Sequence, residues 1–300
     1  MMDTSLCFAS VDIGSNAVRL FFGYVFETQA GPVFKKASLV RLPIRLGADS
    51  FHHKAIDREK IEDIISGMHA FKYLMEAYGA ISFRAVATSA MRDASNGKAV
   101  VAEIFDKTGI NIELIDGEAE AALIFENHIA EKLGTNDAFI YMDVGGGSTE
   151  FTLFKEGQKI KARSFNIGTI RLKDDLVERQ TWLNLKTWLE EIRTEFKPSK
   201  IIGSGGNINT LFKLTELKHM TPLPKRLLER WLKMLKNLSY DEKISELGLR
   251  PDRADVIVPA TELFIMAMDY SGCKEVIVPK VGLADGIIHQ LYDEYKKTTN

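Results

Sequence analysis

The chain opens with short apolar runs separated by polar breaks: SLCFASVDIG and VRLFFGYVF flank a polar turn, and VFKKASLVRLPI follows. Runs this short, rich in β-branched and aromatic residues, predict neighbouring strands joined as a meander. The period then changes. Across DREKIEDIISGMHAFKYLMEAYG, Ile61, Ile64, Ile65, Met68 and Met75 recur at helical spacing, with Asp57 placed to cap the start and Gly79 the end. FRAVATSA predicts a strand, ASNGKAVVAEIFDKTG a helix stopped at Gly109, and INIELIDG a strand leading into the helix EAEAALIFENHIAEKLG. Such alternation predicts an α/β fold around a mainly parallel sheet, in which ligands gather at the carboxyl ends of strands.

At residue 138 the design restarts. AFIYMDVGGGSTEFTLFKEG repeats the plan of CFASVDIGSNAVRLFFGYV: a strand, then Asp-hydrophobic-Gly with small polar residues, then another strand. Asp12 aligns with Asp143 and Gly14 with Gly145, while the position of Glu150 is held by Arg19 in the first copy. The strand KIKARSFNIG, a helix through TWLNLKTWLEEIRTEF, the short strand KIIGSGG, several helices and a last strand EVIVPK complete the second copy. The duplication predicts two lobes, residues 1–125 and 126–300. No Pro/Gly/Ser-rich linker marks the boundary, so the lobes are expected to lie in close contact.

Composition narrows the function classes. Three hundred residues, 45% hydrophobic and 27% charged, are enough for two medium domains. With a net charge of −2, nothing in bulk draws the chain to nucleic acid or membrane, and an anionic ligand has to be held by local arrangement. Cys7 and Cys273 are far apart and lack metal-ligand spacing, which argues against a disulfide framework and points to a cytoplasmic protein. No apolar run approaches the ~20 residues a membrane span needs, and no targeting segment is expected.

The chemistry concentrates in YMDVGGGSTE, where three consecutive glycines follow an apolar strand. Glycine loses the most backbone entropy on ordering and adds no packing, so a run of it at a strand end calls for another use. A tight turn without side chains lets several N–H groups point into one small volume and accept a phosphate. Ser148 and Thr149 add hydroxyl donors, and Asp143 and Glu150 offer hard oxygen ligands of the kind that bind Mg²⁺ or Ca²⁺. The bland alternative, a permissive hairpin with solvated strand-end acids, loses weight once the duplication is seen.

Two tandem Asp-hydrophobic-Gly turns and a later GSGG turn at 203–206 resemble the signature of the actin-like ATPase superfamily. Within it, VDIGSNAVRL, RLPIRLGADSF, AVATSAMRDASN, IDGEAEAALIF, MDVGGGSTEF, SFNIGTIRL, GSGGNINTLF, DRADVIVPA and VGLADGI occur in the order expected of the exopolyphosphatase and guanosine pentaphosphate phosphatase family. The resemblance spans nearly the whole chain and matches the short two-domain form. It implies two actin-like, ribonuclease H-like lobes with an interlobe cleft. It also implies Mg²⁺-dependent hydrolysis of terminal phosphate from inorganic polyphosphate, with guanosine pentaphosphate as a second substrate.

Phosphoanhydride hydrolysis needs charge neutralisation and one base to orient water. Glu118 and Glu120 open a helix, where acids also simply complement the N-terminus; the resemblance assigns the catalytic role to Glu120. Phosphates are expected at Gly14, Ser15 and Asn16, at Gly145, Gly146, Gly147, Ser148 and Thr149, and at Ser204, Gly205, Gly206 and Asn207. Arg92 falls where the family places a phosphate-contacting arginine, whose planar fork suits the ligand, and Arg19 and Arg253 are weaker candidates. Lys225, Arg226, Arg230, Lys233 and Lys236 line a helix that reads more simply as a solvated face than as a polyanion track, and His52 and His53 read as loop residues.

The chain departs from the family pattern in three places. Ala122 and Ala284 stand where arginines are usual, and Ala17 where serine is usual. Two alternatives stay open: an ATP-dependent small-molecule kinase of the same superfamily, and, prompted by the missing arginines, a catalytically weak polyphosphate or nucleotide sensor. The apolar content of the C-terminal helices fits a homodimer.

Overall fold

A computed structural model describes residues 5–125 and 137–299. The chain divides into two compact units, Met1–Asn127 with Gly282–Asn300, and His128–Val281.

In the first unit, β1 (Leu6–Ile13), β2 (Val18–Thr28) and β3 (Gly31–Leu42) form the predicted meander. With β4 (Ser82–Ala87) and β5 (Ile112–Leu114) they make a sheet in the order β3-β2-β1-β4-β5. Parallel pairing is confined to β1, β4 and β5, so the sheet is mixed rather than mainly parallel. Its helices are α1 (Leu46–His53), α2 (Arg58–Ala77), α3 (Ser89–Asp93), α4 (Gly97–Thr108) and α5 (Gly117–Phe125). The face of α2 predicted from spacing is the buried one, with Phe71 completing the stripe. Each such side chain contributes about 1.5–3 kcal/mol through removal from water. Gly109 ends α4 at φ +75°, its N–H returning to the carbonyl of Phe105, a left-handed cap that costs glycine little. The expected continuation of α5 through Gly134 lies outside the described residues.

Two expectations in this unit change. His52 and His53 form the last turn of α1 rather than a loop. The helix is hard to read because its buried face carries Asp49 and Ser50 beside Leu46 and Phe51, with Ser50 Oγ donating to the Ala90 carbonyl at 2.6 Å. The final helix, Leu283–Thr299, belongs with the first unit and not with a lobe running 126–300. Its apolar stripe covers the first sheet: Tyr292 meets the Phe8 ring edge-on, and His289 stacks on Phe34. Gly23 on β2 makes room for Ile288, since a Cβ there would lie 2.7 Å from the isoleucine Cγ2.

The second unit repeats the plan. β6 (Phe139–Val144), β7 (Thr149–Lys155) and β8 (Gln158–Phe165) form an antiparallel meander, and β9 (Ile201–Ser204) and β11 (Glu275–Ile277) extend it in parallel. The order is β10-β11-β9-β6-β7-β8, with the two-residue β10 (Leu223–Pro224) added at the edge. Strand for strand, β8-β7-β6-β9-β11 matches β3-β2-β1-β4-β5. The core between this sheet and its helices includes Ile140, Met142, Phe151, Trp188, Phe212 and Phe264.

Candidate active site

The duplication extends to individual hydrogen bonds. In the first hairpin the N–H of Gly14 donates to the Ala17 carbonyl at 3.1 Å; in the second the N–H of Gly145 donates to the Ser148 carbonyl at 3.0 Å. Each bond closes a tight turn at the carboxyl end of the central strand. Register then places side chains in rows across the sheets. Asp12 lies opposite Arg19 on β2, which lies opposite Arg41 on β3. At the matching level of the second sheet, Ser204, Asp143, Glu150 and Ser164 stand side by side on β9, β6, β7 and β8. One copy has two arginines where the other has a carboxylate and a hydroxyl.

In the first unit Arg19 Nη1 pairs with Asp12 Oδ2 at 3.2 Å. Asp12 is only 7% exposed; burial pushes its carboxyl above the ordinary range, and the Arg19 charge partly offsets this. Ser15 Oγ lies 3.0 Å from Ser89 Oγ, linking the first turn to the start of α3. Arg92, in the last turn of α3, donates from Nη1 to the Ile115 carbonyl at 2.9 Å and lies 3.5 Å from Asp93. It is thereby fastened to the strand end from which α5 departs. Asp116 caps that helix, its Oδ1 accepting from the Ala119 N–H at 2.8 Å. Glu120 is half-buried in the first turn, whereas Glu118 is exposed. Ala122, where an arginine was expected, points to solvent. At the other substituted position the carbonyl of Ala284 accepts from Ser10 Oγ, and neighbouring Asp285 pairs with Lys36 at 2.7 Å.

In the second unit Glu150 is 2% exposed and its Oε1 accepts from Ser164 Oγ at 2.9 Å. The turn at 203–206 meets Asp143 directly: a Cβ on Gly205 would lie 3.2 Å from Asp143 Oδ1 and 2.6 Å from the Val144 carbonyl oxygen. Arg253 is buried with its guanidinium laid against Gly206, where a Cβ would lie 2.3 Å from Nη2. It approaches Asn207 Oδ1 at 3.4 Å and Asp252 at 3.7 Å, so it is a built-in part of this turn and not a surface ion-pair residue.

Two expected hydroxyl donors are committed elsewhere. Thr149, fully buried, donates from Oγ1 to the Ile167 carbonyl at 2.5 Å, and Ser204 donates to the Val281 carbonyl at 3.0 Å. Both fasten the turns from behind. Ser148 makes no such bond among the described residues. Lys225 pairs with Glu229 and Asp269, and Lys236 with Glu262, so two of the five cations named on the helix Lys225–Asn237 are engaged in ion pairs. Ser164, Gly168 and Arg171 stand in SFNIGTIRL and Arg41 in RLPIRLG without an assigned role; Arg171 Nε donates to the Gly147 carbonyl at 2.9 Å.

Among the described residues no cluster of three or more His, Cys, Asp or Glu side chains forms a metal cage. The adjacent pair Asp143 and Glu150 instead suits an ion such as Mg²⁺, which prefers one or two carboxylates and completes its shell with water and substrate phosphate.

The model of the Ppx/GppA phosphatase family matches residues 25–295. This chain belongs to the Ppx/GppA phosphatase family. Curated Ppx/GppA relatives include exopolyphosphatase 2 of Mycobacterium tuberculosis, 25% identical over 313 residues that cover 93% of this chain and 96% of that protein. The bifunctional 3-dehydroquinate synthase/phosphatase of Fusobacterium nucleatum is 29% identical over 90% of this chain but only 44% of its own length. The guanosine-5'-triphosphate,3'-diphosphate pyrophosphatase of Vibrio parahaemolyticus is 23% identical over 98% of this chain and 61% of its own. The chain thus spans less than two thirds of some Ppx/GppA relatives and nearly all of another. Among solved structures, an exopolyphosphatase from Cytophaga hutchinsonii matches with TM-score 0.82 and 22% identity over 96% of this chain and 98% of that one. The Aquifex aeolicus family member matches with TM-score 0.77 and 22% identity over 97% and 99%. These likenesses establish the fold as two actin-like α/β lobes.

Proposed function

We propose that this protein removes terminal phosphate from inorganic polyphosphate and also acts on guanosine pentaphosphate, with a divalent cation, Mg²⁺ by preference. The observation that carries this reading is the pair of strand-end turns closed by the same hydrogen bond, one beside an acidic row and the other beside a basic row. A polyphosphate chain carries negative charge at every phosphate, so recognition calls for backbone N–H groups, planar guanidinium forks and a cation together. Asp143 and Glu150 would hold the cation, which neutralises charge on the phosphoryl group when bound.

The chain's own residues have separable tasks. The N–H groups of Gly14 and Gly145 close their turns, so those at Ser15 and Asn16 and at Gly146, Gly147 and Ser148 bind phosphate oxygens, with Arg92, Arg19 and Arg253 as cationic partners. Glycines at 205 and 206 keep the third turn narrow enough for Arg253 and Asn207 to reach the same volume. Glu120 accepts a proton from the attacking water as its oxygen bonds to the terminal phosphorus and the anhydride bond breaks. The phosphate chain, one unit shorter, leaves as an oxyanion. Positioning and charge stabilisation account for most of the rate in such transfers.

Both cysteines are buried and unbridged. Among the described residues no helix is long and apolar enough to cross a membrane. A homodimer through the C-terminal helices belongs to the same proposal, and sedimentation would test it. The deciding assay is phosphate release from polyphosphate and guanosine pentaphosphate, with Mg²⁺ and with chelator. Metal-dependent release from at least one substrate is expected; release from neither would overturn the reading.

A further inference from the structure

We infer that Gly168 and Arg171 form a clamp that fixes the peptide planes of the 145–147 turn, which makes Arg171 a positioning residue for phosphate binding. Three successive carbonyls of this turn are taken from behind. The Thr169 N–H donates to Gly145 O at 3.0 Å, the Ile170 N–H to Gly146 O at 2.9 Å, and Arg171 Nε to Gly147 O at 2.9 Å. A peptide whose carbonyl is held on one side presents its N–H on the opposite side, so these bonds decide where the donors at Gly146, Gly147 and Ser148 point. Among the described residues those three N–H groups have no acceptor.

Contact this close is possible only without a side chain at 168. A Cβ there would lie 2.3 Å from Gly146 O and 2.4 Å from both Gly146 C and Gly147 N. Backbone at φ −126° demands no glycine, so the requirement is the approach itself. Arg171 is 9% exposed, and its Nε is committed to the turn.

The first unit holds its turn in the same way with different parts. The Gly47 N–H, at the start of α1, donates to Ser15 O at 2.8 Å, and Arg41 Nη2 approaches Asn16 O at 3.4 Å. Ser15 and Asn16 are the counterparts of Gly146 and Gly147. Here the arginine comes from the end of β3; in the second unit it comes from the helix Thr169–Lys173. The same two carbonyls are thus held by a helix-start N–H and an arginine in both units, although the arginine is recruited from unrelated elements. Shared ancestry of the turn explains its shape; separate recruitment of the guanidinium points to a demand on the carbonyls.

This inference rests on the proposed phosphate-binding role of the turn, and its test reads binding rather than hydrolysis. Inorganic tripolyphosphate with Mg²⁺ is titrated calorimetrically into wild type, Arg171→Met, Arg171→Lys and Gly168→Ala, with unliganded melting temperatures recorded alongside. Misplacing groups by an ångström costs on the order of a hundredfold. Arg171→Met and Gly168→Ala are expected to weaken tripolyphosphate binding by roughly tenfold to a hundredfold, with Arg171→Lys recovering part of the loss. The ligand-induced rise in melting temperature should shrink even where unliganded melting is close to wild type, which a merely structural role would not produce. Wild-type affinity in a folded Arg171→Met protein overturns the clamp, as does full recovery in Arg171→Lys, which would make Arg171 only a charge. Wild type that binds tripolyphosphate without hydrolysing it defeats the proposed activity, while weakened binding in the variants still supports the clamp.

Discussion

Gly205→Ala places a methyl group in the confined turn next to Asp143. The residue sits at φ +108°, and a Cβ would lie 2.6 Å from the Val144 carbonyl oxygen, a backbone atom that cannot swing aside. Holding a non-glycine residue in that region costs about 1–3 kcal/mol. Displacing the end of β6 to relieve the overlap adds a further ~1–3 kcal/mol. For a unit of this size each kcal/mol moves the melting temperature by roughly 2–4 °C, so the second unit should melt about 10 °C lower. Gly157→Ala is the internal control, since its φ is +75° but nothing lies within 4 Å of the added carbon. That variant should lose only the conformational part, about 1–3 kcal/mol. Circular dichroism melts compare the two, and the difference between them is the collision with Val144. The methyl also falls 3.2 Å from Asp143 Oδ1, so Mg²⁺ should stabilise Gly205→Ala less than wild type. Equal melting of the two variants would refute the reasoning, because the close approach would then carry no energetic weight.

Other perturbations test the electrostatics and the core. Arg19→Met removes the partner of Asp12, whose carboxyl burial already pushes upward. A carboxyl raised in the folded state contributes stability that is present at low pH and lost as pH rises through its folded value. Arg19→Met should therefore lose more stability than wild type between acidic and neutral pH; urea titrations at both ends check this, and a pH-independent deficit would contradict it. Burial pushes the Cys273 thiol up to about 11 and raises that of Cys7 in the same direction. The native protein at pH 8 should resist a thiol-reactive dye and take up two equivalents when denatured, and rapid native labelling would contradict the packing. The stability owed to the neutral Cys273 thiol should be lost as pH climbs from about 9 towards 11.

Much of this was legible in the sequence. The Asp-hydrophobic-Gly repeats announce both hairpins because turn chemistry is local, and the α2 stripe is visible because its period is sustained over several turns. Ser164 and Ser204 were not legible as neighbours of Glu150 and Asp143, since only strand register brings them into one row. The same holds for Arg41 and Arg171, which reach the turns from elements some 25 residues downstream. Thr149 and Ser204 illustrate the converse: a hydroxyl beside a glycine turn looks like a ligand donor until the carbonyl that consumes it is located. The final helix returns to the first sheet through Gly23, Phe8 and Phe34, a long-range fit that no local pattern encodes.

The account turns on Glu120 as the base. Glu120→Gln keeps the size of the side chain and removes its capacity to accept a proton, so tripolyphosphate should bind within a few-fold of wild type. Phosphate release under single-turnover conditions should fall by about 10²–10⁴-fold. Release at the wild-type rate by Glu120→Gln would contradict the mechanism, whatever the binding measurements showed.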